Sequence, residues 1–290
     1  MNDASQPASQ HTSQSSLLLS ARISVRYGDK APVLRDLQLD VRSGEVLGLI
    51  GQSGSGKSTL AMTILGLLDG KRVHASGMIM FESRDLLTLR ERDLRELRGR
   101  KIALVLQSPL SSLNPALKIR TQLREAWRAH ATRSSADENA AIRGALQSVS
   151  LPSDDEFLRK HPSQMSVGQA QRVLIAMAVM HRPALLIADE ATSALDVITQ
   201  SEILALFRKL NRSTGMAILY ISHDLASVSS ICDRIAILHQ GQIVELGAAQ
   251  HVLTNPQHEY TQRLMAALPR LPEPQKLDVQ PLKSAAANSQ

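Results

Sequence analysis

The stretch Gly51-Gln52-Ser53-Gly54-Ser55-Gly56-Lys57-Ser58 constrains this chain more than any other. It fills every fixed position of an eight-residue phosphate-loop pattern. It also follows an apolar run, Val46 to Ile50, that reads as a buried strand, and it opens a helical stretch from Lys57 to Leu68. That strand–loop–helix context is what the pattern demands. The glycines let backbone N–H groups turn inward around phosphate oxygens. The helix N-terminus adds partial positive charge beneath them. Lys57 has the reach for β- and γ-phosphates, and the Ser58 hydroxyl is the Mg²⁺ ligand such a loop provides. A nucleoside triphosphate with Mg²⁺ is therefore the ligand class expected at Gly51, Ser53, Gly54, Ser55, Gly56, Lys57, Ser58 and Thr59.

The rest of the chain fits a sheet built around that loop. Leu17 to Val41 holds short apolar segments broken by Tyr27-Gly28-Asp29 and Ala31-Pro32, which read as antiparallel strands joined by turns. Gly77 to Phe81, Ile102 to Leu106, Leu185 to Ala188, Ala217 to Ile221 and Ile235 to Leu238 also read as strands, with a helix over Thr199 to Leu210. From about Asn114 to Val179 there are no strand-like runs, and Ala, Arg, Leu and Glu are abundant. Strands alternating with helices on both sides of that section imply a parallel α/β core with an inserted helical part, placed at about 109–179. The polar, low-complexity residues 1–16 and the proline-bearing residues 271–290 are expected to be disordered tails around one folded unit, 17–270.

Composition limits the function classes. The formal net charge of +6 suits phosphate, nucleic acid or an anionic membrane surface. Aromatics are only 2% of residues, too few to spare for the stacking platforms of a single-strand binder. The one cysteine, Cys232, excludes an internal disulfide and reads as a small buried apolar residue. The longest apolar stretch, Val173 to Met180, falls far short of the ~20 residues that cross a bilayer. The N-terminus lacks the basic start and apolar centre of a secretory signal. The nine histidines show no paired metal-ligand spacing. A cytosolic chain is expected, with any membrane role supplied by a partner.

A triphosphate site also needs acids. Leu185-Leu186-Ile187-Ala188-Asp189-Glu190 is an apolar strand ending in two carboxylates, placed where open α/β sheets face their ligands. Asp189 suits the metal, and Glu190 suits a general base acting on water. Two acids after an apolar strand are by themselves more often a solvated strand end. The phosphate loop tips the reading toward chemistry.

At this point the residues resemble the ATP-binding cassette ATPases. Met165-Ser166-Val167-Gly168-Gln169-Ala170-Gln171-Arg172 is similar to that family's signature, usually Leu-Ser-Gly-Gly-Gln, and Ser166 lies 23 residues before Asp189 as in the family. The resemblance implies that Ser166, Gly168 and Gln169 contact the γ-phosphate held by an opposite subunit. It further implies that Gln107 is the Q-loop residue sensing Mg²⁺ and water, and that Ser193-Ala194-Leu195-Asp196 is the D-loop at the subunit interface. His223, in Tyr220-Ile221-Ser222-His223-Asp224, matches the switch histidine, and Tyr27 stands where the family stacks an aromatic on adenine. The implied cofactors are ATP and Mg²⁺, the latter held by Ser58, Gln107 and Asp189. The implied fold is a P-loop NTPase core with an antiparallel β subdomain and an inserted α-helical subdomain.

One position departs from the pattern. Val167 replaces the first signature glycine, and a β-branched residue resists the positive φ and close approach that glycine allows. The expectation is a signature half that closes less well on a partner's ATP, and so a heterodimer with an unlike cassette subunit.

Three stretches narrow the branch: Arg98-Gly99-Arg100-Lys101-Ile102 with Gln107-Ser108-Pro109 and Ser112-Leu113-Asn114-Pro115, Asp196-Val197 with Gln200, and Asn255-Pro256-Gln257-His258-Glu259-Tyr260-Thr261. They are similar to the importer ATPases for dipeptides, oligopeptides and nickel. The iron–sulfur centre of some longer members needs a cysteine cluster that the sequence lacks. The resemblance implies an ATPase at the cytoplasmic face of the inner membrane. Two integral permease subunits would be its partners, with an extracytoplasmic substrate-binding protein acting indirectly. Peptides are the favoured cargo, nickel or another metal chelate the alternative. The other class weighed is a soluble ATPase of the same family acting on nucleic acid or ribosomes. The absence of a long coiled coil and of a second cassette argues against it, and no nucleic-acid partner is expected.

Overall fold

The computed structural model describes residues 16–70, 72–131 and 135–267. The tails expected over 1–16 and 271–290 lie, apart from Ser16, outside the described residues. Strand β1 (Leu17–Tyr27) pairs antiparallel with β2 (Leu34–Arg42), and Leu19, Ala21, Ile23 and Val25 point to one buried face at the two-residue period of a strand. Strand β3 (Val46–Ile50) is buried along its whole length and leads through the Gly51–Gly56 loop into α1 (Lys57–Ile64). Strand β4 (Val73–Phe81) then returns to β1, running from Leu19 opposite Phe81 to Tyr27 opposite Val73. It starts four residues before the strand read from sequence, because its first half is largely exposed and carries no apolar run. The helix read as Lys57 to Leu68 stops at Ile64, and the strand read as Ile102 to Leu106 stops at Val105.

After β5 (Arg84–Asp85), α2 (Glu91–Leu97) and β6 (Ile102–Val105), the chain becomes helical as expected: α3 (Pro109–Ser112), α4 (Ile119–Arg128), α5 (Ser135–Ser148), α6 (Asp155–Arg159) and α7 (Val167–Val179). The core resumes with β7 (Leu185–Asp189), α8 (Val197–Thr214), β8 (Ala217–Ser222), α9 (Leu225–Ile231), β9 (Arg234–His239), β10 (Gln242–Ala248), α10 (Ala249–Thr254) and α11 (Glu259–Ala266). The longest of these helices is punctuated by its sequence. Asp196 caps the start of α8, and Gly215, at φ 71°, ends it.

Two sheets result, β2-β1-β4-β5 and β10-β9-β3-β8-β7-β6. The first is antiparallel throughout. In the second, β9, β3, β8, β7 and β6 run parallel and β10 is added antiparallel. Alternate residues of the central strands feed opposite cores. Leu47 and Leu49, Leu185 and Ile187, and Leu219 and Ile221 pack with α1 and the antiparallel sheet. Val46 and Ile50, Leu186 and Ala188, and Ile218 and Tyr220 pack with the helices on the other side. Burial on both faces is why these strands read as unbroken apolar runs. The helical insertion leaves after β6 and returns at β7, its neighbour in the sheet.

Candidate functional site

Sheet order converges the chemistry. Strand β8 lies between β3 and β7. The parallel ends therefore bring the loop after β3, His223 after β8, and Asp189 with Glu190 at the end of β7 to one edge, the ligand-facing edge of an open α/β sheet.

The loop is shaped by its glycines. Gly54 and Gly56 sit at φ 79° and 110°, backbone conformations open to glycine, and a side chain on Gly56 would stand 2.5 Å from the Leu34 methyl. The Lys57 ammonium is folded back under the loop and donates to the carbonyls of Gly51 (2.7 Å) and Gln52 (3.1 Å). Burial lowers the Lys57 pKa, and the charges of Glu190 and Asp189 pull it back up. A cavity of about 370 Å³ opens above, lined by Tyr27, Val33, Ser53, Gly54, Gly56, Lys57, Ser58, Thr59 and Glu190. The Tyr27 hydroxyl lies 3.4 Å from the Thr59 hydroxyl, which fixes the ring at the cavity's wall. Gly51 and Ser55 lie beneath the loop, where a side chain on Gly51 would meet the Leu238 carbonyl at 2.4 Å.

Asp189 is 6% exposed, and its Oδ1 has no hydrogen-bond partner among the described residues. Burial pushes its pKa up, while the Ser58 hydroxyl pulls it down, Glu190 adds to the rise, and Lys57 opposes it. A buried carboxylate oxygen without a partner, beside a serine hydroxyl, fits the hard oxygen-donor set that Mg²⁺ takes. Glu190 follows at φ 49°, a left-handed conformation rarely held by a residue with a side chain. Its N–H donates to the Ile221 carbonyl (2.9 Å), and its Oε1 lies 3.3 Å from Nδ1 of His223.

The remaining expected residues are placed elsewhere. Gln107 is exposed between β6 and α3, outside the cavity. Ser166, Gly168 and Gln169 form the first turn of α7. The Ser166 hydroxyl accepts the Gln169 N–H at 3.2 Å, and the Gln169 carbonyl oxygen of the side chain accepts the Ser166 N–H at 3.3 Å. At Val167 the expected resistance to positive φ does not arise, and closure on a partner's ATP is a separate matter of side-chain bulk. Val167 is the first residue of the helix and holds no positive φ, so a side chain is accommodated there without backbone strain. Close approach belongs to Gly168, where an added Cβ would stand 2.7 Å from the Thr199 methyl. Asp196 caps α8, accepting from the N–H groups of Ile198 and Thr199 and, at 2.6 Å, from the Thr199 hydroxyl. These bonds, the Thr199 hydroxyl first, hold its pKa below the usual carboxylate range.

The sequence reading missed Thr192 and Ser227 and took Tyr220 only as the setting of His223. All three are buried. A tyrosine and a serine inside the otherwise apolar strand Ala217–Ser222 were the available signal. The stretch Asn255–Thr261 serves as a clasp. The Glu245 carboxylate accepts the N–H groups of Gln257 (2.9 Å) and His258 (3.1 Å), and Tyr260 stacks on His239 at 3.8 Å. Among the described residues no helix is long and apolar enough to cross a membrane, and no group of three or more His, Cys, Asp or Glu could hold a metal ion by itself.

Residues 34–193 match the family model described as ABC transporter, and residues 244–290 match that of the oligopeptide/dipeptide transporter C-terminal region. The sequence is 42% identical over 258 residues to the peptidoglycan transport ATP-binding protein YejF of Agrobacterium fabrum, covering 87% of this chain and 47% of that one. The chain thus spans about half the length of that relative. It is 37% identical over 246 residues to the dipeptide transport ATP-binding protein DppD of Bacillus subtilis, covering 84% and 73%. It is 40% identical over 244 residues to the oligopeptide transport ATP-binding protein OppD of Salmonella typhimurium, covering 84% and 72%. Among solved structures, an ATP-binding cassette captured as a post-hydrolysis dimer with ADP and Pi superposes with a TM-score of 0.68 at 26% identity, covering 80% of this chain and 98% of that one. The cbiO1 part of a Clostridium perfringens ABC transporter complex superposes with a TM-score of 0.72 at 26% identity, covering 88% and 97%.

Proposed function

The chain belongs to the ABC transporter family, and from that premise we propose that it is the ATP-hydrolysing subunit of an importer for dipeptides or oligopeptides. One conjunction carries the reading: a cavity over the phosphate loop in the same chain as a C-terminal region matched to oligopeptide and dipeptide transporters. The nickel alternative and the soluble alternative have no comparable support.

The chain's own groups divide the work. Loop N–H groups and Lys57 hold the phosphates, with the ammonium leaving the carbonyls of Gly51 and Gln52 for phosphate oxygens. Tyr27 offers its ring to adenine at the cavity wall. Glu190 accepts a proton from the water that attacks the γ-phosphorus, as the bond to the β-phosphate oxygen breaks. His223 meets Glu190 from the open side through Nδ1, which leaves Nε2 for the γ-phosphate. Mg²⁺, with Ser58 and Asp189 as its donors and Gln107 reaching it only if its loop moves in, would supply neutralisation of the phosphate charge.

Two cassettes sandwiching two nucleotides complete the machine, with Ser166, Gly168, Gln169 and Asp196 serving the partner's site. None of the four lines this chain's own cavity, which supports that arrangement. The Val167 side chain, 38% exposed where the family signature has glycine, supports an unlike cassette as the partner. A groove of about 220 Å³ between β6 and α7, lined by Leu104, Leu106, Ser112, Leu174 and Met177 among others, suits a loop of a membrane-spanning permease at the cytoplasmic face of the inner membrane. An extracytoplasmic binding protein would select the peptide. Co-purification from solubilised membranes tests the assembly. An integral permease pair and a second cassette are expected with this chain, and recovery with ribosomes or nucleic acid alone would contradict it.

A further inference from the structure

We propose that Tyr220 is a positioning residue for hydrolysis, the centre of a buried hydroxyl relay that holds the Glu190 and His223 segments in one register. The proposal rests on the hydrolytic reading above. The Tyr220 hydroxyl lies 2.9 Å from that of Thr192, two residues beyond Glu190. It donates to the Ser227 hydroxyl (3.2 Å), and Ser227 in turn donates to the carbonyl of Asp224 (2.8 Å), the residue after His223. Each hydroxyl has one proton to give. The chain of donors therefore runs from Thr192 through Tyr220 and Ser227 to the backbone beside His223.

Both ends are anchored a second time. The Glu190 carbonyl accepts from the N–H and the hydroxyl of Ser193, at 3.1 and 3.0 Å. The Asp224 N–H donates to the Ser222 hydroxyl (3.0 Å), and its carboxylate accepts from the Gln200 side chain (2.8 Å), on the helix that Asp196 caps. Core filling alone does not call for this. Tyr220 is fully buried in a strand that is apolar apart from it and the terminal Ser222, and its ring already meets Phe207 at 6.3 Å. A phenylalanine would fill that space with no hydroxyl to satisfy. Burial also pushes the phenol's pKa up, which keeps it protonated and able to donate. What the relay supplies is restraint on Glu190, whose φ of 49° persists only where its surroundings over-determine it.

The test is steady-state ATP hydrolysis by the complex purified with its permease and second cassette, this chain carrying Tyr220→Phe, with ATP binding and thermal stability measured alongside. A fall in kcat of about tenfold or more is expected with KM for ATP unchanged, because small misplacements near reacting groups cost rate before affinity. Thr192→Val should reproduce the fall and Thr192→Ser should restore the wild-type rate, which also covers the case in which Tyr220→Phe does not fold. Added to His223→Ala, Tyr220→Phe should cost little more, since the two act through one contact. Tyr220→Phe and Thr192→Val proteins with wild-type kcat, or losses that add in full to that of His223→Ala, would overturn the proposal. A wild-type complex that binds MgATP without turning it over would instead overturn the hydrolytic reading on which it rests.

Discussion

Nδ1 of His223 lies 3.3 Å from Oε1 of Glu190, with the histidine side chain 58% exposed and the glutamate side chain 23% exposed. The contact spans two strand ends, and the histidine reaches it from the solvent side. His223→Ala should therefore slow hydrolysis by roughly 10²-fold or more, the scale of losing a positioned proton-handling group. Unfolding stability should stay within about 0.5 kcal/mol, as for most exposed positions. ATPase assays and thermal denaturation on the same preparation check both halves.

Lys57 and Asp189 are charges held under cover, and burial makes both work against folding. The Asp189 pKa is raised. Its contribution to stability is therefore full below the ordinary aspartate range and is lost as pH rises through the raised value. Asp189→Asn removes that loss. The variant is expected to melt higher than the wild type at neutral pH, with the difference shrinking in acid, and to gain no stability from MgATP. Equal melting temperatures at neutral pH would contradict this.

Gly168 and Thr199 are in contact across α7 and α8, and their exchange partners should be coupled. A Cβ at 168 would stand 2.7 Å from the Thr199 methyl, so Gly168→Ala forces a shift costing about 1–3 kcal/mol by overpacking. Alanine's better helix propensity returns up to about 1 kcal/mol of this. In a Thr199→Ser background the methyl is gone and the same substitution should be neutral or stabilising. Denaturant unfolding of the four proteins in the cycle measures the coupling, and additive effects would refute the contact.

The clasp at the C-terminal end makes a local rather than global prediction. Glu245→Ala leaves the N–H groups of Gln257 and His258 without their acceptor. Hydrogen exchange should speed up in α11 while β3, β7 and β8 keep their protection. Acceleration spread evenly over the central strands would mean the clasp carries global stability instead.

How much was legible beforehand depended on the kind of signal. Val46–Ile50, Leu185–Asp189 and Ala217–Ser222 are buried on both faces, so their unbroken apolar runs announced central parallel strands. The phosphate loop, the paired acids and His223 were readable because each ends such a strand. The exposed half of β4 and the short helices α9 and α10 carry weak patterns and were not resolved. That Val167 needs no positive φ was not legible, because a signature read as letters does not say which positions are helical or which glycine meets a neighbour. Only the placement of Thr199 reveals that it is Gly168. The hydroxyl relay was hidden for a similar reason, since Thr192 and Ser227 meet Tyr220 only after α9 folds back against β8.

Glu190 carries the central claim, and Glu190→Gln tests it most directly because the amide keeps the shape and cannot take a proton. Nucleotide binding and ATP turnover should be measured on the variant and the wild type together. Wild-type affinity with turnover reduced by roughly 10²–10⁴-fold is the expected result for loss of a general base. Turnover at the wild-type rate would contradict the account.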